Sequence, residues 1–176
     1  MKGYFGIGVE GLSKQANLGA LMRTAHAFGA QFLFTVGANY SRRQGRKADT
    51  SSAVDSLPLY DFADLEAMRL PERCQLVGIE LTEDAIELPS FRHPAQAAYV
   101  LGPERSSLSP AMTERCAYVV KIPTKFCVNV GLAGALVMYD RMISLGRFAE
   151  RPVRVGAPTE PLKPHVHGGP RLRHLE

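Results

Sequence analysis

A membrane span needs roughly 20 consecutive apolar residues, and no run in this 176-residue chain comes close. The opening MKGYFGIGVEG also lacks the charged and apolar regions of a secretion signal, so a cytoplasmic protein with no membrane partner is expected. Cysteine is scarce. Cys74, Cys116 and Cys127 are odd in number, far apart and without a C-x-x-C pair, which argues against a disulfide framework and against structural zinc. They read as reduced thiols. His165 and His167 are too few for a metal site, and no metal is expected. Internal repeats are absent, and so is a strong excess of charge. With a net charge of only +4, the placement of the basic residues matters more than their sum. The stretch SRRQGRK gathers Arg42, Arg43, Arg46 and Lys47 into one polar loop, which reads either as a solvated loop or as a site for a polyanion.

Apolar sequence is plentiful. At 45% hydrophobic residues, the chain can bury the core of one catalytic-sized domain. Tyr4 to Val9 alternates glycine with β-formers and predicts a first strand. Leu18, Leu21, Met22, Ala25 and Phe28 then recur at helical spacing, with Asn17 as the expected N-cap and Gly29 as the stop. FLFTV, from Phe32 to Val36, is a short continuous apolar run, as in a strand buried on both faces. Further along, the pattern predicts an edge strand at Pro58 to Phe62 and a short helix from Ala63 to Arg69. Strands follow at Gln75 to Ile79 and Ala97 to Leu101, then a helix from Pro110 to Cys116 and a strand at Tyr118 to Ile122. A long helix from Val130 to Leu145 comes last. Alternating strands and helices imply an α/β fold with a mostly parallel sheet flanked by helices. Beyond Gly146 the composition turns to Pro, Gly, His and Arg, so residues 1–150 are expected to form the domain and 151–176 an extended tail.

Gly6, Gly8 and Gly11 spell G-x-G-x-x-G, the dinucleotide fingerprint, but its context is wrong. That motif follows a strand, opens a helix and is answered by an acidic residue about 20 positions on. Too few residues precede Gly6, and the strand at Phe32 to Val36 ends without Asp or Glu.

Three separated blocks lie at the edges of expected elements: NLGALMRTA from Asn17, VLGPE from Val100, and IPTKFCVNVGLAGA from Ile122. Together they resemble the SpoU, or TrmH-like, branch of the SPOUT RNA 2′-O-ribose methyltransferases, over most of residues 1–145. The resemblance implies a deep trefoil knot towards the C-terminal side of the fold, a homodimer and S-adenosyl-L-methionine as cofactor. Periodicity alone gives neither knot nor dimer, since ordinary connection rules argue against threading. Carried over to this sequence, the catalytic group comprises Arg23, Asn17, Glu104 and Asn129. The cofactor wall comprises Ile79, Leu101, Gly102, Ile122, Cys127, Val128 and Leu132.

These residues also have readings of their own. Gly102 after a buried strand permits a turn that exposes peptide groups to a ligand, or it simply ends the strand. Glu104 suits a substrate hydroxyl or Arg23, or else the N-terminus of the helix at Pro110. Arg23 lies beside the apolar stripe of its helix, where an ordinary exposed arginine would also lie. The family's arginine is proposed as general base, yet a guanidinium rarely gives up its proton; binding a phosphate and stabilising a developing alkoxide is the other role open to Arg23.

The third block departs from the family pattern. Thr124, Lys125 and Phe126 follow Ile122-Pro123, and Cys127-Val128-Asn129 stands where relatives carry Ser-Leu-Asn. Ser107 replaces a common Gly of the second block. A thiol hydrogen-bonds more weakly than a hydroxyl, and Cys127 has no neighbouring His that would make it a nucleophile.

RNA is the expected partner, since the 2′-hydroxyl distinguishes it and the SRRQGRK loop supplies charge for phosphate. Arg147, Arg151, Arg154, Lys163, Arg171 and Arg173 would let the tail add nonspecific affinity. With no sizeable RNA-binding domain ahead of the catalytic-sized one, transfer RNA is preferred to ribosomal RNA. The altered third block leaves a non-catalytic RNA-binding protein of the same fold as the alternative.

Overall fold

The structure is a computed structural model that describes residues 3–38, 57–103, 106–146 and 148–159. Arg42, Arg43, Arg46, Lys47, Glu104, Arg147 and the chain from 160 onwards lie outside the described residues.

The strands are β1 (Tyr4–Glu10), β2 (Phe32–Val36), β3 (Leu59–Phe62), β4 (Gln75–Ile79), β5 (Ile86–Glu87), β6 (Gln96–Leu101) and β7 (Tyr118–Lys121). They form one sheet in the order β3-β2-β1-β6-β4-β7-β5, and every adjacent pair is parallel. The helices are α1 (Gln15–Ala27), α2 (Pro110–Arg115) and α3 (Val130–Leu145), with a 3₁₀ turn at Leu88–Ser90. Among the described residues no helix is long and apolar enough to cross a membrane.

A sheet covered on both faces explains the apolar runs. All five residues of β2 are buried. On one face Ile7, Val9, Leu33, Val77 and Leu101 meet Leu18, Leu21 and Met22 of α1 and Val137 and Met138 of α3. On the other, Phe34, Leu76, Ala98 and Val100 meet Met112 of α2 and Met68. Burying each such large side chain is worth about 1.5–3 kcal/mol. The β1 glycines serve this packing. A Cβ on Gly6 would lie 2.2 Å from the Phe32 ring, and one on Gly8 would lie 2.4 Å from the Phe34 carbonyl oxygen. Both residues sit inside the strand rather than after it, so the G-x-G-x-x-G run is sheet packing and not a phosphate turn. Gly134 plays the same part between helices, since a Cβ there would be 2.5 Å from Leu21 Cδ1.

Three expectations need correction. Asn17 is not the N-cap of α1: the helix starts two residues earlier, Lys14 caps it in an extended conformation, and the Asn17 amide already donates to the Lys14 carbonyl (3.1 Å). The apolar stripe begins only at Leu18, so the polar first turn carried no periodic signal. Gly29 does end the helix, with φ +74, a left-handed conformation that glycine adopts without steric cost. Secondly, residues 63–69 form turns and no helix. Asp64 Oδ1 takes the Ala67 amide (2.7 Å), and Arg115 takes the carbonyl of Met68 (2.9 Å) and that of Leu65. Side chains thereby hold groups that a helix would pair. Thirdly, β5 was not foreseen. Its two residues pair with Val120 and Lys121, and two residues are too few to show a period.

The start of the sheet is pinned by a buried polar group. Arg141 of α3, 5% exposed, donates to the carbonyls of Pro94 (2.7 Å) and Ala95 (2.9 Å) and to the Tyr99 hydroxyl (3.0 Å). His93 bridges the Tyr99 hydroxyl (2.6 Å) and Asp140 Oδ2 (2.8 Å). Burial pushes the His93 imidazole below its usual 6.5, partly offset by the Asp140 carboxylate. Burial pushes the Tyr99 phenol up to about 12.

Residues Met1–Leu145 make one compact unit and Gly146–Glu176 a second. Within the second, the described residues 148–159 contain no helix or strand, and Val153 and Val155 are fully exposed.

Candidate active site

Parallel strands finish at the same end of the sheet, so the loops that follow them converge. After β3 the chain returns to β4 on the other side of β1, and β6 then fills the gap between β1 and β4. The connections leaving β1 and β6 therefore diverge, and a crevice opens between them. Ligands in open α/β sheets bind at this kind of reversal. A cleft of about 560 Å³ lies there, within the range usual for small-molecule sites.

Each wall follows a strand. Ile79, Glu80 and Leu81 come after or at the end of β4; Leu101, Gly102, Pro103, Ser106 and Ser107 after β6; Ile122, Thr124, Cys127 and Val128 after β7. Asn17 of α1 and Asn129, Val130 and Ala133 around the start of α3 close the fourth side, with Lys14. Asn129 is the N-cap of α3, its Oδ1 accepting from the Gly131 amide (2.9 Å) as such caps do. Its Nδ2 donates to Asn17 Oδ1 (3.2 Å) across 112 residues of sequence. Two of the three sequence blocks are thus joined by one amide pair.

The wall after β6 is held from both sides. Glu80 Oε2 accepts from the Leu108 amide (2.7 Å) and Oε1 from the Leu81 amide (2.9 Å). Glu10, at the end of β1, accepts from the Ser109 amide (2.8 Å) and hydroxyl (2.6 Å). Ser109 is also the N-cap of α2, accepting from the Met112 amide (3.1 Å), with Pro110 at the first helical position. Gly102 lies under this return loop, where a Cβ would be 3.0 Å from the Leu108 nitrogen. A side chain there would push the wall outwards. After β7, Thr124 Oγ1 donates to the Phe126 carbonyl (2.9 Å), shaping a loop that leaves Phe126 exposed.

Six of the seven residues expected to hold a cofactor line this cleft: Ile79, Leu101, Gly102, Ile122, Cys127 and Val128. Leu132 does not; it points outwards on α3, 54% exposed. Asn17 and Asn129 are on the wall. Arg23 is exposed on α1 and is not part of the lining, standing roughly 9 Å along the helix axis from Asn17 at ~1.5 Å per residue. Glu104 and the four basic loop residues fall outside the described residues. Sequence reasoning missed Glu10 and Glu80. A carboxylate at a strand end looks like any exposed acid, and their partners lie 99 and 28 residues away. Of the thiols, Cys127 is exposed on the wall, whereas burial pushes that of Cys116 up to about 11.

Residues 5–139 match the model of the family described as "SpoU rRNA Methylase family". Among curated proteins, the chain is 30% identical over 139 residues to the tRNA (guanosine(18)-2′-O)-methyltransferase TARBP1 of Mus musculus, a match covering 73% of this chain and 9% of that one. Among solved structures, the AdoMet-bound rRNA methyltransferase of Sinorhizobium meliloti superposes with a TM-score of 0.71 at 20% identity, over 84% of this chain and 59% of that one. The SpoU methyltransferase AviRb of Streptomyces viridochromogenes, in complex with AdoMet, gives 0.68 at 24% identity, over 82% and 62%. The chain therefore spans under a tenth of the mouse relative and about three-fifths of these two bacterial chains.

Proposed function

The chain belongs to the SpoU rRNA methylase family, and from that premise we propose that it is an S-adenosyl-L-methionine-dependent RNA methyltransferase acting on a ribose 2′-hydroxyl, with transfer RNA preferred to ribosomal RNA. The observation that carries this reading is the convergence of residues from all three sequence blocks on one cleft at the reversal point of the sheet.

The cleft fits the cofactor. Ile79, Leu101, Ile122 and Val128 offer apolar surface to an adenine, and the backbone turning at Gly102 offers peptide groups to its edge. Lys14 on the opposite rim suits the carboxylate of a methionine moiety. When bound, the cofactor supplies an electrophilic methyl group on sulfonium. The protein's part is alignment: the ribose oxygen must approach the methyl group in line, and holding reactants in that geometry supplies much of the rate. Asn17 and Asn129 fix the cleft edge nearest α1 through their amide pair. Arg23 makes no hydrogen bond or ion pair among the described residues, and its charge is open to a backbone phosphate and to the developing alkoxide.

The same reading includes a homodimer and the knot. Leu132, Leu136 and Tyr139 form a stripe along the outer face of α3, each 37–54% exposed, and a second copy would cover it. The knot is supported by the path of the chain. β7 lies beyond β4, yet α3 packs beside α1 on β1 and β6, so the segment between them returns past the loop that follows β6. Arg42, Arg43, Arg46 and Lys47 add charge for RNA, and Glu104, carried over from the family pattern, belongs to the catalytic group of this reading.

The test is incubation with methyl-labelled S-adenosylmethionine and separate pools of unmodified transfer and ribosomal RNA. Label in a phosphodiester that resists alkaline cleavage supports the proposal and names the substrate class. RNA retention with neither cofactor binding nor label would instead favour a non-catalytic RNA-binding protein, the reading suggested by Cys127 in the altered third block.

A further inference from the structure

Two charged side chains line the cleft among the described residues, Lys14 and Glu80. Glu80 follows the last residue of β4 and is half-buried. Its two oxygens are anchored separately, Oε1 by the Leu81 amide (2.9 Å) and Oε2 by the Leu108 amide (2.7 Å). A carboxylate oxygen has a second lone pair, so each can accept one more bond from the cleft. A carboxylate held by two backbone donors does not have to be reordered when a ligand arrives, and its field acts from a fixed position. Glu10 ties the same loop one residue further on, through Ser109, and Glu80 differs from it in lining the cleft.

The proposed reaction changes the charge of the ligand in this cleft. As the ribose oxygen bonds to the methyl carbon, the sulfur–carbon bond breaks, and sulfur keeps the electron pair. The hydroxyl proton is lost to water or to a base. A sulfonium becomes a neutral thioether, and the ligand's net charge falls from one positive to zero.

We propose that Glu80 is a specificity-determining residue that reads this difference, holding the sulfonium form of the cofactor in preference to the thioether product. The inference rests on the methyltransferase reading above. Its consequence is faster exchange of product for fresh cofactor, since the attraction disappears when the methyl group leaves. A charge pair a few ångströms apart discriminates by about fivefold at the dielectric of water and by more as the cleft excludes water, so a discrimination of about tenfold is expected.

The experiment is calorimetric titration of the full chain with S-adenosylmethionine and with S-adenosylhomocysteine, comparing wild type with Glu80→Gln, Glu80→Asp and Ser109→Ala. Glu80→Gln keeps the size of the side chain and removes the charge. The expected result is that it weakens S-adenosylmethionine about tenfold more than S-adenosylhomocysteine, while Glu80→Asp restores most of the gap. Ser109→Ala removes the hydroxyl half of the other tie, leaving the amide bond to Glu10, and keeps the Glu80 charge, so it should weaken both ligands alike. A purely structural Glu80 would behave as Ser109→Ala does, and equal losses for the two ligands in Glu80→Gln would overturn the proposal. If wild type binds neither ligand, the methyltransferase reading falls and takes this inference with it.

Discussion

Where β1 and β6 begin, the polar groups are buried and bonded to one another: Arg141, Tyr99, His93 and Asp140 form one connected set. At the opposite end of the sheet Glu80 faces a cleft, and Glu10 and Glu80 hold a loop through the Leu108 and Ser109 amides and the Ser109 hydroxyl. The first arrangement fixes the ends of elements that must not move. The second fixes a loop while leaving its surface free for a ligand. Two positions on one helix illustrate the contrast: Asn129 caps α3 at the cleft, and Arg141 locks the same helix three turns later.

That contrast can be broken from either end. The largest effect on stability is expected for Arg141→Ala, which strands the carbonyls of Pro94 and Ala95. Loss of a buried, fully bonded charge costs about 3–5 kcal/mol, and thermal unfolding should show a Tm lower by about 10 °C. A variant that unfolds at the wild-type temperature would show that this end is not what holds the sheet. Arg23→Ala should leave Tm unchanged and lower turnover by about a hundredfold or more, with cofactor affinity within about twofold of wild type; full activity would remove Arg23 from the mechanism.

Two smaller effects sharpen the comparison. Asn129→Ala removes a helix cap, worth about 1 kcal/mol, together with the tie to Asn17. Denaturant titration should show that modest loss, while cofactor binding weakens further because the cleft edge is loosened. Equal small effects on both would make Asn129 a cap and nothing more. The smallest effect concerns pH. The folded-state pKa of His93 lies below the usual 6.5, so the unfolded chain takes up the proton first. The stability from the neutral imidazole is complete above about 6.5 and is lost as the pH falls through the depressed value. Denaturant midpoints measured between pH 7 and 5 should fall more steeply for wild type than for His93→Gln. Parallel slopes would mean that His93 does not couple the buried set to pH.

Much of this molecule is written in runs and periods. Phe32 to Val36, Gln75 to Ile79 and Val130 to Leu145 were readable because each is apolar enough to need burial over its whole length. The glycines of β1 were readable as a motif but misleading as one, since only the neighbouring strand reveals that Phe32 and Phe34 lie across them. The turns at 63–69 follow the same lesson: their sequence has helical spacing, and Arg115, from a distant helix, claims the carbonyls.

The sequence by itself determined the class of fold, the order of nearly every element and most of the residues that meet in the cleft, Leu132 and Arg23 excepted, because hydrophobic burial is set by local pattern and the three blocks keep their own spacing. The tertiary structure alone decided that β6 lies between β1 and β4, that Asn17 meets Asn129, and that Glu80 and Glu10 hold the loop between them. Those are hydrogen bonds between groups far apart in the chain. Such pairings depend on which strand ends the sheet brings together, and no local pattern encodes them.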